Sequence, residues 1–444
     1  MPEGKVEPRL PRGMRDILPD AMIRRDYVMG VIRRVFEEFG FEPLQTPAIE
    51  LEETLLGKYG PDAERLIYSV GHSGGKERLC LRYDLSVPLC RLVAQYPELN
   101  RPFKRYQIAP VWRAERPQKG RYREFYQCDA DIVGSASMLA DAETLNVIYD
   151  ILTRLGFRQF VIHLNDRKLL SGIGQYAGVA DEQLGGLYRA IDKLSRIGLE
   201  GVEAELRRTG IPDEVVRRLL ELLHIQGANR EVLARLKGLL ADYPVAMAGL
   251  AELEEIVGYL QALGIPERCY QIVPTMVRGL DYYTGPIYET VVEEPKIGSI
   301  TGGGRYDNLV GMFLARSLPA TGTTIGIERI MDVMEELEMF PPQVGRTVAQ
   351  VLVTRFAPAL VEESLRLARD LRRAGLNVEL YFEDDPLGTQ IRYALKKGIP
   401  YLAIIGPDEV ATGQVALRHL ALGEQVTVPR DGAVAQLQAW RQLL

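Results

Sequence analysis

The stretch Lys104-Arg-Tyr-Gln-Ile-Ala-Pro-Val-Trp-Arg113-Ala-Glu-Arg-Pro-Gln-Lys-Gly120-Arg-Tyr-Arg-Glu-Phe125-Tyr-Gln-Cys-Asp-Ala-Asp131 decides how the rest of the chain is understood. Two strand-like runs flank Glu115-Arg-Pro-Gln-Lys-Gly120, where Pro117 and Gly120 supply turn chemistry, so the spacing predicts a β-hairpin. The second run carries Arg121, Arg123, Phe125, Gln127, Asp129 and Asp131 at alternate positions, and a period of two places them on one face. A half-buried strand ordinarily turns apolar side chains inward. This one offers cations, a ring, an amide and two carboxylates, which suits a polyanionic ligand better than a core. Lys104, Arg105, Arg113, Arg116, Lys119, Arg121 and Arg123 form a local basic patch, offset nearby mainly by Glu115 and Glu124. The alternative is an exposed, salt-bridged hairpin.

Upstream, Pro19-Asp20 reads as a helix start, and Val28, Met29, Ile32, Val35, Phe36 and Phe39 recur at helical spacing. Phe41–Glu50, punctuated by Pro43 and Pro47, reads as an extended edge or interface segment. In LCLRYDLSVPLCRLV, Asp84 and Ser86 interrupt an apolar run. A carboxylate there needs a partner, which a capped helix through Leu89 to Val93 would supply as readily as a ligand.

Downstream, Ser135–Leu155 is helical by period and FVIHLND reads as a strand. From about Leu169 to Leu263 the pattern is helical, with breaks at Gly210-Ile-Pro212 and Gly227. Two Gly-rich stretches follow, Arg278-Gly-Leu-Asp-Tyr-Tyr-Thr-Gly285 and Ser299-Ile-Thr-Gly-Gly-Gly-Arg-Tyr-Asp307. Neither has the spacing of a Walker loop or a dinucleotide fold. Thr321–Ile330 reads as a strand entering a helix with Arg329 at the junction, a place that suits phosphate. Phe340-Pro-Pro-Gln-Val-Gly345 is a linker, and the remainder alternates strands and helices as an α/β unit with largely parallel strands.

At 444 residues two or three domains are expected. No apolar run approaches the roughly 18 residues that span a bilayer, and the first residues lack the apolar segment of a secretory signal, so no membrane association and a cytoplasmic address are expected. Cys80, Cys90, Cys128 and Cys269 make no CxxC pair, and His72, His163, His224 and His419 are scattered, indicating neither a disulfide framework nor a zinc site. The formal net charge of −6 argues against indiscriminate nucleic-acid binding, while leaving room for a partner held by local basic patches.

The hairpin sequence resembles motif 2 of the class II aminoacyl-tRNA synthetases, FEPLQTPAIE resembles motif 1 and TGTTIGIERI motif 3. RGLDYYTGPIYE and GGGRYDNLV resemble the two histidine-specific motifs of the histidyl-tRNA synthetase family. LRYDLSVP and QCDADIVG look like the eukaryotic and archaeal form, ERPQKGRYR like the bacterial one. Thr324 stands where the family often has Gly, and Asp131 where many bacterial members have Glu. The resemblance implies an α+β fold: a class II antiparallel sheet flanked by helices, with a helical insertion and a C-terminal α/β anticodon-binding domain. It implies a catalytic domain over 1–168 and 264–339, the insertion over 169–263 and the anticodon-binding domain over 346–444.

The implied activity is that of a histidine–tRNA ligase. The histidine carboxylate attacks the α-phosphate of ATP, and the terminal ribose hydroxyl of tRNA(His) then displaces AMP. The resemblance implies Arg113 and Arg278 as the catalytic cations. It implies Glu115, Arg121, Phe125 and Arg329, with Arg113, as the ATP site, Phe125 stacking on adenine. Asp84, with Leu85 and Ser86, would take the α-ammonium; Gln127 would orient the α-carboxylate end; Asp131 and Tyr283 would pair the imidazole nitrogens, with Tyr282 in the same wall or in the core. Asp281 and Asp307 would be structural. Mg2+ would accompany ATP on ligands the sequence does not assign, and motif 1 implies a homodimer. The rival reading is the regulatory subunit of ATP phosphoribosyltransferase, which has this catalytic fold and binds histidine as a signal. Such a subunit usually lacks an anticodon domain and residues of the ATP and histidine motifs, which this chain keeps.

Overall fold

The computed structural model describes residues 7–71, 74–118, 120–179, 186–188, 191, 194–208, 212–277, 282–342 and 344–442. Arg278, Asp281 and Lys119 lie outside the described residues, as does most of the expected break at 210–212. The chain divides into two compact units, Met1–Arg15 with Val28–Met339, and Asp16–Tyr27 with Phe340–Leu444. The helix Pro19–Glu38 therefore contributes residues to both.

In the larger unit the strands are β1 (Glu42–Pro43), β2 (Ile49–Leu51), β3 (Ser69–Val70), β4 (Leu79–Leu81), β5 (Phe103–Trp112), β6 (Glu124–Val133), β7 (Phe160–Asp166), β8 (Tyr270–Ile272), β9 (Pro286–Val292), β10 (Thr301–Arg305) and β11 (Ala320–Ile325). An eight-stranded sheet has the order β1-β5-β6-β11-β10-β9-β7-β8. Its interior pairings are antiparallel, and β1 and β8 add parallel edges. An antiparallel sheet can bury one face and keep the other for solvent or ligand. The helix Met138–Arg154, most of whose residues are buried, packs on β6, β10 and β11, and the helix Pro244–Ala262 packs on it and on β7 and β9. The other face is left for the polar residues of the hairpin.

The hairpin is present, but its connection is longer than the predicted six-residue turn. β5 ends at Trp112 and β6 begins at Glu124, with the intervening loop held by Arg113 N to Arg123 O (2.9 Å) and the Gln118–Arg121 bridge. Arg121 and Arg123 thus precede the strand. Arg123 turns to backbone, its Nε donating to Glu115 O (3.0 Å) and Nη1 to Arg12 O (3.3 Å). Arg105 leaves the expected basic patch altogether: it is fully buried. Register explains this, since Arg105 lies opposite Asp131 across β5 and β6 and the two pair.

Phe41–Glu50 gives the edge strand β1 and then β2, in a small sheet with β4 and β3. Among the described residues of 169–263, helices run over Leu194–Arg208, Asp213–Leu223, Asn229–Leu239 and Pro244–Ala262, after the helix Arg167–Ala177. The four cysteines are buried free thiols.

The smaller unit contains β12 (Val351–Val353), β13 (Val378–Leu380), β14 (Tyr401–Ile404), β15 (Gln414–His419) and β16 (Gln425–Pro429), in the order β13-β12-β14-β15-β16. The expectation of a largely parallel sheet needs correcting. β13, β12 and β14 are parallel, but β15 and β16 join antiparallel, because only the short helix Pro407–Thr412 and then a turn connect β14, β15 and β16. A parallel return needs a crossover of a dozen or more residues.

Candidate active site

A cavity of about 850 Å3 opens on the ligand face of the sheet. Its wall includes Asp84, Ser86, Arg113, Glu115, Arg121, Phe125, Gln127, Asp131, Tyr282, Tyr283 and Arg329, so residues spread over some 250 positions of sequence meet in one place. Leu85 is the exception among the described candidates. It is fully buried with Ala109 and Val111, against which Phe125 packs, because an apolar side chain at the start of a helix is drawn to the core; its carbonyl accepts from Arg105 Nη2 (3.1 Å).

One end of the cavity is rich in acceptors. Asp84 Oδ1 accepts from the Tyr59 hydroxyl (2.9 Å) and from Val87 N (3.1 Å), capping the helix Ser86–Gln95, while Oδ2 is buried with no protein partner. The capping role and an open oxygen coexist on one carboxylate. Burial raises the Asp84 pKa, and the two hydrogen bonds pull it back. Asp131 accepts from Tyr306 and lies 2.7 Å from Arg105 Nη2 through Oδ2, an ion pair without a hydrogen bond's alignment. Burial raises its pKa against the opposing pull of Arg105 and Tyr306. Asp129 is pushed up to about 7, chiefly by burial and next by the Asp131 charge, with Arg105 and the Thr324 hydroxyl opposing. Burial keeps Tyr59, Tyr282 and Tyr306 well above the usual phenol value, so they stay neutral and able to donate. Tyr282 serves both expectations, belonging to a core cluster and lining the cavity edge-on to Tyr283 (5.0 Å) and Tyr306 (5.9 Å).

Close backbone approach makes this end possible. Gly322 lies opposite Asp131 in the register, and a Cβ there would sit 2.0 Å from Asp131 Oδ1. At Gly303 a Cβ would sit 2.0 Å from the Gly322 carbonyl. These two glycines thus make room for a carboxylate and a neighbouring strand.

The other end is cationic. Arg113 Nε donates to Tyr83 O (3.1 Å), and its guanidinium lies over the Tyr83 ring (4.4 Å) and the Phe125 ring (5.2 Å). Arg121, half exposed, faces Glu115 across 3.7 Å. Arg329, in the first turn of the helix Ile327–Glu336, donates through Nη1 to Ser299 O (2.5 Å). Gly120 and Gly298, both at positive φ, leave the space beside it.

Several contributors have no role in the sequence reading. Asp129, Thr324 and Tyr306 line the acceptor end, and Tyr59 holds Asp84. Arg15 pairs with Glu328 and lies 3.8 Å over the Tyr122 ring, tying the first residues to the cavity wall. Glu328 also accepts from Tyr126 N (3.4 Å). His163, whose pKa burial lowers, and Glu289 line a further part of the wall. Of these, the period of β6 and the identity of Thr324 were visible signals; Arg15 carried none. Asp307 joins Arg305 (3.3 Å) and accepts from Ala320 N (3.1 Å).

The family model described as histidyl-tRNA synthetase matches residues 13–330, and the anticodon binding domain model matches 350–440. The chain is 46% identical to the histidine–tRNA ligase of Aeropyrum pernix, covering 97% of this chain and 98% of that one. It is 42% identical to the histidine–tRNA ligase of Porphyromonas gingivalis, covering 96% and 98%. The crystal structure of histidyl-tRNA synthetase from Nostoc sp. PCC 7120 superposes with a TM-score of 0.88 at 34% identity, over 98% of this chain and all of that one. An ATP phosphoribosyltransferase regulatory subunit/histidyl-tRNA synthetase from Bacillus halodurans C shares the fold, at a TM-score of 0.71 and 22% identity over 87% of this chain and 96% of that one.

Proposed function

The chain belongs to the histidyl-tRNA synthetase family, and on that premise we propose that the cavity activates histidine with ATP and passes it to the end of tRNA(His). The observation that carries the reading is the polarity of a single cavity, buried acceptors at one end and guanidinium groups at the other. Histidine lies with its ammonium and imidazole among Asp84, Gln127, Asp131 and Tyr283, and its carboxylate toward Arg113. Gln127 is reassigned in this reading. Its Nε2 is taken up by Thr324 (3.3 Å) and its Oε1 is the buried atom without a partner, so it offers an acceptor that suits the ammonium and not the carboxylate.

The carboxylate is already ionised at neutral pH, so attack on the α-phosphate needs no general base. Its oxygen bonds to phosphorus as the bond to pyrophosphate breaks, and negative charge gathers on the equatorial oxygens. Arg113, held in place by Tyr83, stabilises that charge without reorganising, and Arg278, outside the described residues, adds a second cation. Arg121 and Arg329 hold the outer phosphates as planar forks, and the ring of Phe125, which lines the cavity, takes the adenine. Glu115, loosely paired at 3.7 Å, is the carboxylate that fits Mg2+, which typically takes one or two carboxylates beside phosphate oxygens. The ion supplies charge neutralisation on the triphosphate. A pocket that satisfies both imidazole nitrogens rejects side chains that leave them unpaired.

Residues 346–444 read the anticodon, and the catalytic unit spans 1–168 and 264–339 around the insertion 169–263. Exposed Ile49 and Leu51 on β2, at the end of motif 1 and just past it, support a homodimer interface there. No helix among the described residues is long and apolar enough to cross a membrane, and a cytoplasmic address accords with the activity. Charging of tRNA(His) with labelled histidine by the purified chain tests the reading; a folded chain that binds histidine yet charges no tRNA would favour the regulatory alternative.

A further inference from the structure

Thr324 is the residue where the sequence departs from its family's motif 3, and its surroundings give it a task. It sits on β11 directly opposite Asp129 on β6, with Gln127 two residues along the same face. Directly opposite and diagonal neighbours on one face are within side-chain reach. Gln127 Nε2 donates to Thr324 Oγ1 (3.3 Å), and the Thr324 hydroxyl stands directly across the strand pair from the Asp129 carboxylate. Asp129 and Gln127 are 2% and 7% exposed, and each keeps one buried oxygen, Oδ1 and Oε1, with no protein partner.

We propose that Asp129 and Thr324 are positioning residues that lock the Gln127 amide with its oxygen toward the cavity, where it accepts from the substrate's α-ammonium. The logic is a count of protons. A threonine hydroxyl has one, and above about pH 7, where Asp129 is ionised, its carboxylate can only accept. Asp129 therefore takes the Thr324 proton, and Thr324 can meet Gln127 only as an acceptor, which demands the NH2 side of the amide. The flipped amide would set Oε1 against an oxygen whose proton is already committed. Asp129 in turn faces Asp131 and Asp84 on the acidic side, and Arg105 on the basic side. Its unpartnered Oδ1 adds a further acceptor beside Gln127 Oε1, so the relay makes this corner acceptor-only and selective for a cationic N–H donor. Without the hydroxyl the amide has no preferred orientation, and the corner offers donors and acceptors alike.

The inference rests on the cavity being the histidine site, and the experiment separates the two. Histidine-dependent pyrophosphate exchange by the unmodified chain is measured first; its absence overturns the functional reading. Given exchange, Thr324→Val, which keeps the shape and removes the hydroxyl, raises KM for histidine about tenfold, the scale of one net hydrogen bond, with KM for ATP little changed. Thr324→Ser restores the wild-type value. In an Asp129→Asn background, where the relay is already released, Thr324→Val has less than about a third of its single-variant effect, the non-additivity expected of one network. L-histidinol, which keeps the ammonium and imidazole but lacks the carboxylate, loses affinity for Thr324→Val by the same factor as histidine. Unchanged KM for histidine in Thr324→Val, full additivity in the double variant, or histidinol binding insensitive to the substitution would each overturn the proposal while leaving the functional reading intact.

Discussion

Two buried arginine–aspartate pairs lie in the same unit and differ in how far the guanidinium is satisfied by the chain. In the pair Arg305–Asp141 every guanidinium nitrogen has an acceptor: Nε reaches Asp141 (3.1 Å), Nη1 the Ser135 carbonyl (2.9 Å) and Nη2 the Ser137 carbonyl (3.0 Å) as well as Asp141. In the pair Arg105–Asp131, Arg105 uses Nη2 while Nε and Nη1 have no partner, and Asp131 borders the cavity. Burial and residue type are the same, although Arg305 also meets Asp307 (3.3 Å). In the first pair the guanidinium is saturated by its own chain, although Asp141 Oδ1 keeps no partner, and the pair holds β10 to the helix Met138–Arg154. The second is left incomplete, which is costly in a folded protein and is reasonable where a ligand completes it.

The largest effect should fall on the cation end that this acceptor end is built to oppose. Arg113→Ala is expected to lower pyrophosphate exchange on the order of 10² to 10³, the scale of one lost charge-stabilising donor, with the fold intact by circular dichroism. A loss below about tenfold would remove Arg113 from the reaction. Next, Arg305→Met leaves Asp141 buried beside no cation and should cost about 3–5 kcal/mol of stability in denaturant unfolding. Arg105→Met should cost distinctly less stability, since cavity water can reach Asp131, and should instead raise KM for histidine. Equal stability losses would erase the contrast between the two pairs.

Asp131→Ala is expected to raise KM for histidine far more than that for ATP, and equal changes would make Asp131 a structural carboxylate. The smallest effect concerns pH. Asp129 is pushed up to about 7 in the folded chain, above its ordinary unfolded value, so its contribution to stability is present at low pH and is lost as pH rises through about 7. Asp129→Asn should therefore raise Tm more at about pH 8 than at about pH 5 in the absence of histidine. A gain independent of pH would mean that Asp129 does not titrate with folding.

The fold class was legible because the motif 2 run has both strand period and turn chemistry, and because the histidine-specific motifs and motif 3 follow it downstream. The gathering of Asp84, Arg113, Gln127, Tyr283 and Arg329 into one cavity follows from that topology. What stayed hidden depends on register and distance. Arg105 reads as one more surface cation until its cross-strand partner is known. Arg15 reaches Glu328 over 313 positions, which no local pattern encodes. The antiparallel strands β15 and β16 resemble parallel ones in sequence, since each is short and its residues carry no sign of strand direction. Thr324 was visible as a departure, but its meaning required the residue facing it.

The acceptor and cation ends serve one reaction on one amino acid. Exchange of labelled pyrophosphate into ATP by the full chain, run with histidine and with each other amino acid in turn, tests this. Exchange is expected with histidine alone, falling on the order of 10² to 10³ in Arg113→Ala. Exchange that ignores which amino acid is present, or none at all from a folded chain that binds histidine, would contradict it.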